Sequence, residues 1–166
     1  MTGSASHQNP YRMLALVACG IVILDQIAKA AVLHYVPLHQ GFAVIPGFFN
    51  ITHIHNPGGA FGFLAKYGSG WGRIFFTVAS MLAIGVILYF YQKTPATQVA
   101  LRGGFALILG GAVGNLIDRV RFGKVVDFLD VYIGDLHWPA FNVADSAVSI
   151  GIVIFAFHLV FNKLPE

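Results

Sequence analysis

The chain has 166 residues, 57% of them hydrophobic and only 10% charged, with a formal net charge of +3. The length is that of one domain. An apolar content this high excludes an ordinary water-soluble enzyme, and the sparse, unclustered positive charge offers no basic patch to a nucleic acid, so none is expected as a partner.

Four apolar runs approach the roughly 20 residues needed to cross a bilayer core of about 30 Å. The expected spans are 13–33, 74–91, 99–117 and 141–161, which makes a mainly α membrane protein: a single polytopic domain, 1–166, of four transmembrane helices. In the first run, Met13 to Leu33, the interruptions are Asp25, Gln26 and Lys29. Asp25 and Lys29 stand four apart and can pair on one helix, which makes two costly charges tolerable. Met13 to Leu24, followed by Ala28-Lys29-Ala30, also has the outline of a signal-peptide core with its cleavage site, but the apolar character resumes at once. The first run is therefore expected to be retained. Cys19, the lone cysteine, lies within it and is expected to be a small apolar filler.

Between the first two spans, "VPLHQGFAVIPGFFNITHIHNPGGAFGFL" is rich in β-branched and aromatic residues punctuated by Gly and Pro. It predicts a small antiparallel sheet on the membrane surface, with a turn at Pro46-Gly47 and a tight turn at "NPGG". The third run carries Gly103, Gly104, Gly110, Gly111 and Gly114, a pattern for close helix packing. Four spans put both termini and "QKTPATQ" on one side and the segments 34–73 and 118–140 on the other. Lysine and arginine counting does not orient the protein: Arg12, Lys93, Arg102 and Lys163 face Lys66, Arg73, Arg119, Arg121 and Lys124. Tyr35, Tyr67, Trp71, Tyr132 and Trp138 gather in or beside the long segments, as interfacial residues do.

Ionisable groups near apolar spans are functional candidates by default. In "KVVDFLDVY" a strand would set Val125, Asp127, Leu129 and Val131 on one face, so that Asp127 meets an apolar surface. Asp145 opens the fourth run, where Asn142 as helix N-cap would put it at the third helical position, favoured by the capping box and the dipole. The dipole favours the ionised form of Asp145 and desolvation the protonated form of Asp127, the division that general acid and base work requires. Such a pair titrates jointly, and the opposite assignment stays open. Asp118 and Arg119 end the third run, where an interfacial ion pair is expected. No G-x-S-x-G elbow accompanies a serine. His53 and His55, with His34 and His39 nearby, are a weak metal pattern and would suit a membrane metalloprotease. A proton-coupled carrier using Asp25, Lys29, Asp127 and Asp145 is the non-enzymatic alternative, disfavoured because these groups gather mostly on one side.

Read in order, "DQIAKA" at 25–30, "NPGGAFGF" at 56–63, "GGAVGNLIDR" at 110–119, "VVDF" at 125–128 and "FNVADS" at 141–146 resemble the lipoprotein signal peptidases, the bacterial signal peptidase II family, over nearly the whole chain. One departure stands out: the family commonly reads Asn-Thr-Gly-Ala-Ala where this chain has Asn56-Pro57-Gly58-Gly59-Ala60. The resemblance implies an aspartyl endopeptidase of the bacterial inner membrane, with its active site at the extracytoplasmic face. It would remove the signal peptide of prolipoproteins on the N-terminal side of a diacylglyceryl cysteine. Asp127 and Asp145 match the catalytic dyad. Asn56, Gly111, Asn115, Arg119 and Asn142 match substrate-site positions, and Asp25 and Lys29 match a supporting polar pair. No metal or cofactor is implied. The expected partners are the prolipoprotein substrate and membrane lipids, with the chain acting as a monomer and the sheet as a cradle over bound peptide.

Overall fold

The structure, a computed structural model, describes residues 11–58 and 69–161. Lys66, Tyr67, Lys163 and the Gly59-Ala60 end of the asparagine turn lie outside the described residues, as does the side chain of Trp71. The elements follow the order α1 (Arg12–Tyr35), β1 (Gly41–Ile45), β2 (Phe49–Asn56), α2 (Ser69–Lys93), α3 (Val99–Phe122), β3 (Val125–Ile133), β4 (Leu136–His137) and α4 (Val143–Phe161).

All four helices are long and apolar enough to cross a membrane. The least apolar of them, α3, with mean hydropathy 1.5, is the most enclosed: 56% of its most apolar stretch is buried, against 6% in α2. It packs against α1, α2 and α4, while the outer helices present side chains such as Leu16, Ile23, Leu82 and Val153 outward. This arrangement suits lipid, where helices associate through close packing and not through apolar burial. Gly111 allows the closest approach, since a Cβ there would fall on the Ala144 carbonyl of α4.

The third helix runs past 117, carrying Asp118 and Arg119 on its last turns instead of releasing them into the connection. Its stop is Gly123, in the left-handed conformation at φ 73° and donating its N–H to the Arg119 carbonyl. A residue with a Cβ pays for that conformation, so the glycine decides where the helix ends.

The strands form one antiparallel sheet in the order β1-β2-β3-β4. The expected turn at Pro46-Gly47 joins β1 to β2, with Gly47 at φ 80°. Every residue of β1 is exposed. Strand β3 sits deeper, with Val125 to Phe128 all buried. Val126 and Phe128 pack against Val32 of α1 and Val36 just beyond its end, and Leu129, from the Asp127 face, packs against the same cluster. The carboxyl of Asp127 itself stands among amides.

Candidate active site

The chain is stitched back onto β3 just before α4 begins. Phe128 and Leu129 both donate their N–H groups to the Phe141 carbonyl, at 2.9 and 2.8 Å, and Phe141 donates to the Leu129 carbonyl at 3.0 Å. That bridge brings Asn142 and the first turn of α4 beside Asp127. On the other flank, β2 pairs with β3 so that Ile54 faces Asp127 and Asn56 faces Val125. A diagonal step across the strands carries the Asn56 side chain to Asp127.

Three asparagines surround the two carboxyls, and each has its amide oxygen held by a group that can only donate. The Asn142 Oδ1 accepts from the Asp145 N–H at 2.9 Å, the N-cap anticipated from the sequence. The Asn56 Oδ1 accepts from the Gly58 N–H at 2.9 Å, closing an Asx-turn over Pro57. The Asn115 Oδ1 accepts from Lys29 Nζ at 3.0 Å. With each oxygen so committed, each NH2 must point the other way, and the amide orientations follow from the network. Asn142 Nδ2 donates to Asp127 Oδ1 at 2.7 Å and Asn56 Nδ2 to Asp127 Oδ2 at 2.9 Å. Asn115 Nδ2 donates to Asp145 Oδ1 at 2.7 Å.

The Asp127 carboxyl is raised to about 6 on balance: burial pushes it up most, the amide bond from Asn56 pulls it down, the Asp145 charge pushes it up, and Asn142 and Lys29 pull it down. Asp145 stands in the wall of a cavity of about 750 Å³, together with Asn56, Trp138, Phe141, Ser146 and Ile150. Arg119, within the field of Asp145, Asp118 and Asp127, donates to the Ser80 hydroxyl of α2 at 3.2 Å, with its guanidinium 5.8 Å from the Phe76 ring.

A buried polar layer lies beneath. Lys29 Nζ stands 2.8 Å from Asp25 Oδ2, the expected pair, and equally 2.8 Å from Asp118 Oδ2. The expected Asp118–Arg119 ion pair gives way to this contact: successive residues on a helix point about 100° apart, and Asp118 faces α1 while Arg119 faces α2. Gln26 joins the layer, donating to Asp118 Oδ1 at 3.0 Å. Sequence reasoning singled out Asp118 but gave it the wrong partner, and it passed over Gln26 as a site residue; the signal available was an acid on a buried helix face, which demands a partner. Gly111, by contrast, lies in the α3–α4 contact, its backbone against Ala144. The two imidazoles of "HIH" turn their Nε2 atoms on each other at 3.1 Å, and His53 Nδ1 donates to the Val36 carbonyl, while His55 Nδ1 is buried without a hydrogen-bond partner among the described residues. Among the described residues no group of three His, Cys, Asp or Glu is placed to hold a metal ion.

Residues 17–161 match the family model described as Signal peptidase (SPase) II. This chain belongs to the signal peptidase II family. Among its curated relatives, the lipoprotein signal peptidase of Desulforapulum autotrophicum is 54% identical over 153 residues, covering 92% of this chain and 94% of the relative. That of Syntrophus aciditrophicus is 48% identical, with 89% and 92% covered, and that of Geobacter sulfurreducens 44%, with 90% and 92% covered. Two solved structures described as bacterial membrane enzymes superpose with TM-scores of 0.80 and 0.79 at 33% and 32% identity. The first covers 92% of both chains; the second covers 90% of this chain and 94% of its own. With four helices able to cross a bilayer, this member of the signal peptidase II family is a multi-pass membrane peptidase.

Proposed function

We propose that this chain is an aspartyl endopeptidase that cleaves diacylglyceryl-modified prolipoproteins on the N-terminal side of the lipidated cysteine, using water held between Asp127 and Asp145. The observation that carries the reading is Asn142, one side chain bonded to the Asp127 carboxyl and to the backbone of Asp145. One carboxyl, and the backbone that carries the other, are thus tied to a single amide, at the edge of a cavity and in a polar layer between apolar helices, a setting in which two acids are equipped to share a proton.

The donors also suggest how the proton is divided. Both oxygens of Asp127 accept an amide N–H, an arrangement that best suits a carboxylate. Asp145 accepts on Oδ1 from Asn115, leaving Oδ2 as the natural seat of the proton. This reverses the assignment expected from the sequence, because the amides of Asn56 and Asn142 occupy both oxygens of Asp127. Asp127 then takes a proton from water as its oxygen attacks the scissile carbonyl carbon. Asp145 gives its proton to the amide nitrogen as the C–N bond breaks, and the proton gained by Asp127 returns to Asp145 before the next turnover.

The substrate side follows from the walls. The cavity between Trp138, Phe141 and α4 is mostly apolar and suits the acyl chains or the apolar signal segment. Arg119, Asn115 and Asn56 hold the peptide carbonyls, while Gly111 serves by setting the height of Asp145. The sheet covers the bound peptide as a cradle, and the dyad faces the extracytoplasmic side of the inner membrane. The chain acts as a monomer among membrane lipids.

The test is cleavage of a prolipoprotein peptide, with and without its diacylglyceryl group, by wild type, Asp127→Asn and Asp145→Asn in detergent. Cutting of the lipidated peptide alone, lost in both variants, supports the reading. Near-normal activity in either folded variant refutes the dyad.

A further inference from the structure

The two acids of the buried layer are related to the dyad in the same way. Asp25 Oδ1 accepts the backbone N–H of Ala144 at 2.9 Å, and Asp118 Oδ2 accepts the backbone N–H of Val126 at 3.1 Å. Ala144 precedes Asp145 and Val126 precedes Asp127. Both acids hold Lys29 Nζ at 2.8 Å, and all three are buried to within 2%. Gln26 braces the assembly, donating to Asp118 Oδ1 at 3.0 Å and to Asp25 Oδ2 at 3.2 Å.

We infer that Asp25, Lys29 and Asp118 form a clamp that sets the separation of the two dyad aspartates, with Lys29 as its hub and Asp118 as the positioning residue for Asp127. The proposal rests on the dyad reading above and adds residues that touch neither substrate nor reacting atoms. A carboxylate is suited to this work because each oxygen can accept more than one donor: Asp118 Oδ2 takes both the ammonium and the strand amide, while Asp25 takes the ammonium on Oδ2 and the helix amide on Oδ1. The hub also orients the chemistry directly, since Lys29 fixes the Asn115 amide that donates to Asp145. Reacting groups lose rate steeply when misplaced, so a clamp of this kind acts on turnover more than on substrate affinity.

Charge gives the clamp a second signature. Around Asp118 stand Asp25 and Lys29 from α1, Arg119 from its own helix, His55 from β2, and the dyad on β3 and α4. Neutralising Asp118 leaves Lys29 with one counter-charge instead of two, and the less screened ammonium favours ionised Asp127.

The experiment measures kcat, KM and the pH dependence of kcat for cleavage of the diacylglyceryl peptide by wild type, Asp118→Asn and Asp118→Glu. In Asp118→Asn we expect kcat lower by about 10- to 100-fold, KM within about threefold, and the acid limb moved to lower pH. Asp118→Glu keeps the charge on a longer arm, so kcat falls while the limb stays in place. Should Asp118→Asn not fold, the kcat and limb of Asp118→Glu decide. Full kcat in a folded variant, or a raised KM with kcat intact, overturns the clamp. Wild type that fails to cut the lipidated peptide refutes the peptidase reading itself, a result distinct from either.

Discussion

Asn142 donates to Asp127 across 2.7 Å from the very position that caps the helix carrying Asp145. The same amide therefore serves folding and chemistry. In Asn142→Ala the lost cap costs about 1 kcal/mol of stability. Loss of the donor should lower kcat by about 100-fold and move the Asp127 ionisation to higher pH. Asn142→Asp keeps a capping oxygen but sets an anion against Asp127, so thermal unfolding in detergent should stay near wild type while activity is lost. An active Asn142→Asp enzyme would contradict the shared-amide arrangement.

The titration of Asp127 gives the sign of the pH dependence. Its carboxyl is raised from 3.8 to about 6, and the base must be ionised, so kcat should rise as pH is increased through about 6. Stability runs the other way. The contribution of protonated Asp127 is fully present below 3.8 and is lost as pH rises through about 6. The unfolding midpoint of wild type should therefore fall across that window relative to Asp127→Asn, which has no carboxyl to ionise there. A rate that declines through pH 6 would return the acid role to Asp127.

Gly111 separates packing from binding. A methyl group at this position meets the Ala144 carbonyl and Val148, so Gly111→Ala should destabilise by about 1–3 kcal/mol and push the first turn of α4 away from α3. The expected kinetic result is a lower kcat with KM little changed. A KM increase alone would make Gly111 a substrate contact instead.

The asparagine turn makes a prediction about the departure at Pro57. Proline fixes its own φ, which rigidifies the Asx-turn that aims Asn56 at Asp127. Pro57→Thr should leave the turn intact and lower kcat by no more than about threefold. Gly58 has φ 112°, and a Cβ there would fall on the Phe76 ring of α2, so Gly58→Ala should lose both stability and most activity. Melting curves and kcat for the two variants check the contrast.

Local signals account for what was legible in the sequence. Apolar runs long enough for a bilayer marked all four helices, Pro46-Gly47 marked the hairpin turn, and Asn142 with Asp145 marked the start of α4. The Asp25–Lys29 pair was readable because both lie on one helix. What escaped depends on contacts between distant segments. The second counter-charge of Lys29 comes from α3, and the setting of Asp127 depends on the asparagines that β2 and the start of α4 bring to it. Alternation distinguishes two faces of a strand but does not name the neighbour of either.

The buried triad has a consequence for biogenesis. Asp25 and Lys29 emerge from the ribosome long before Asp118, so the first helix must enter the bilayer while its lysine still lacks one of its two counter-charges. Each charged residue at a helix centre opposes insertion by about 2.5–3.5 kcal/mol, and the run of apolar residues in α1, with mean hydropathy 2.0, offsets it. Because the first salt bridge is contained within α1 itself, that helix can reside in lipid without a polar neighbour and receive α3 later. Assembly thus has a built-in order: the clamp closes only when the third span arrives, and the peptidase stays incomplete until then.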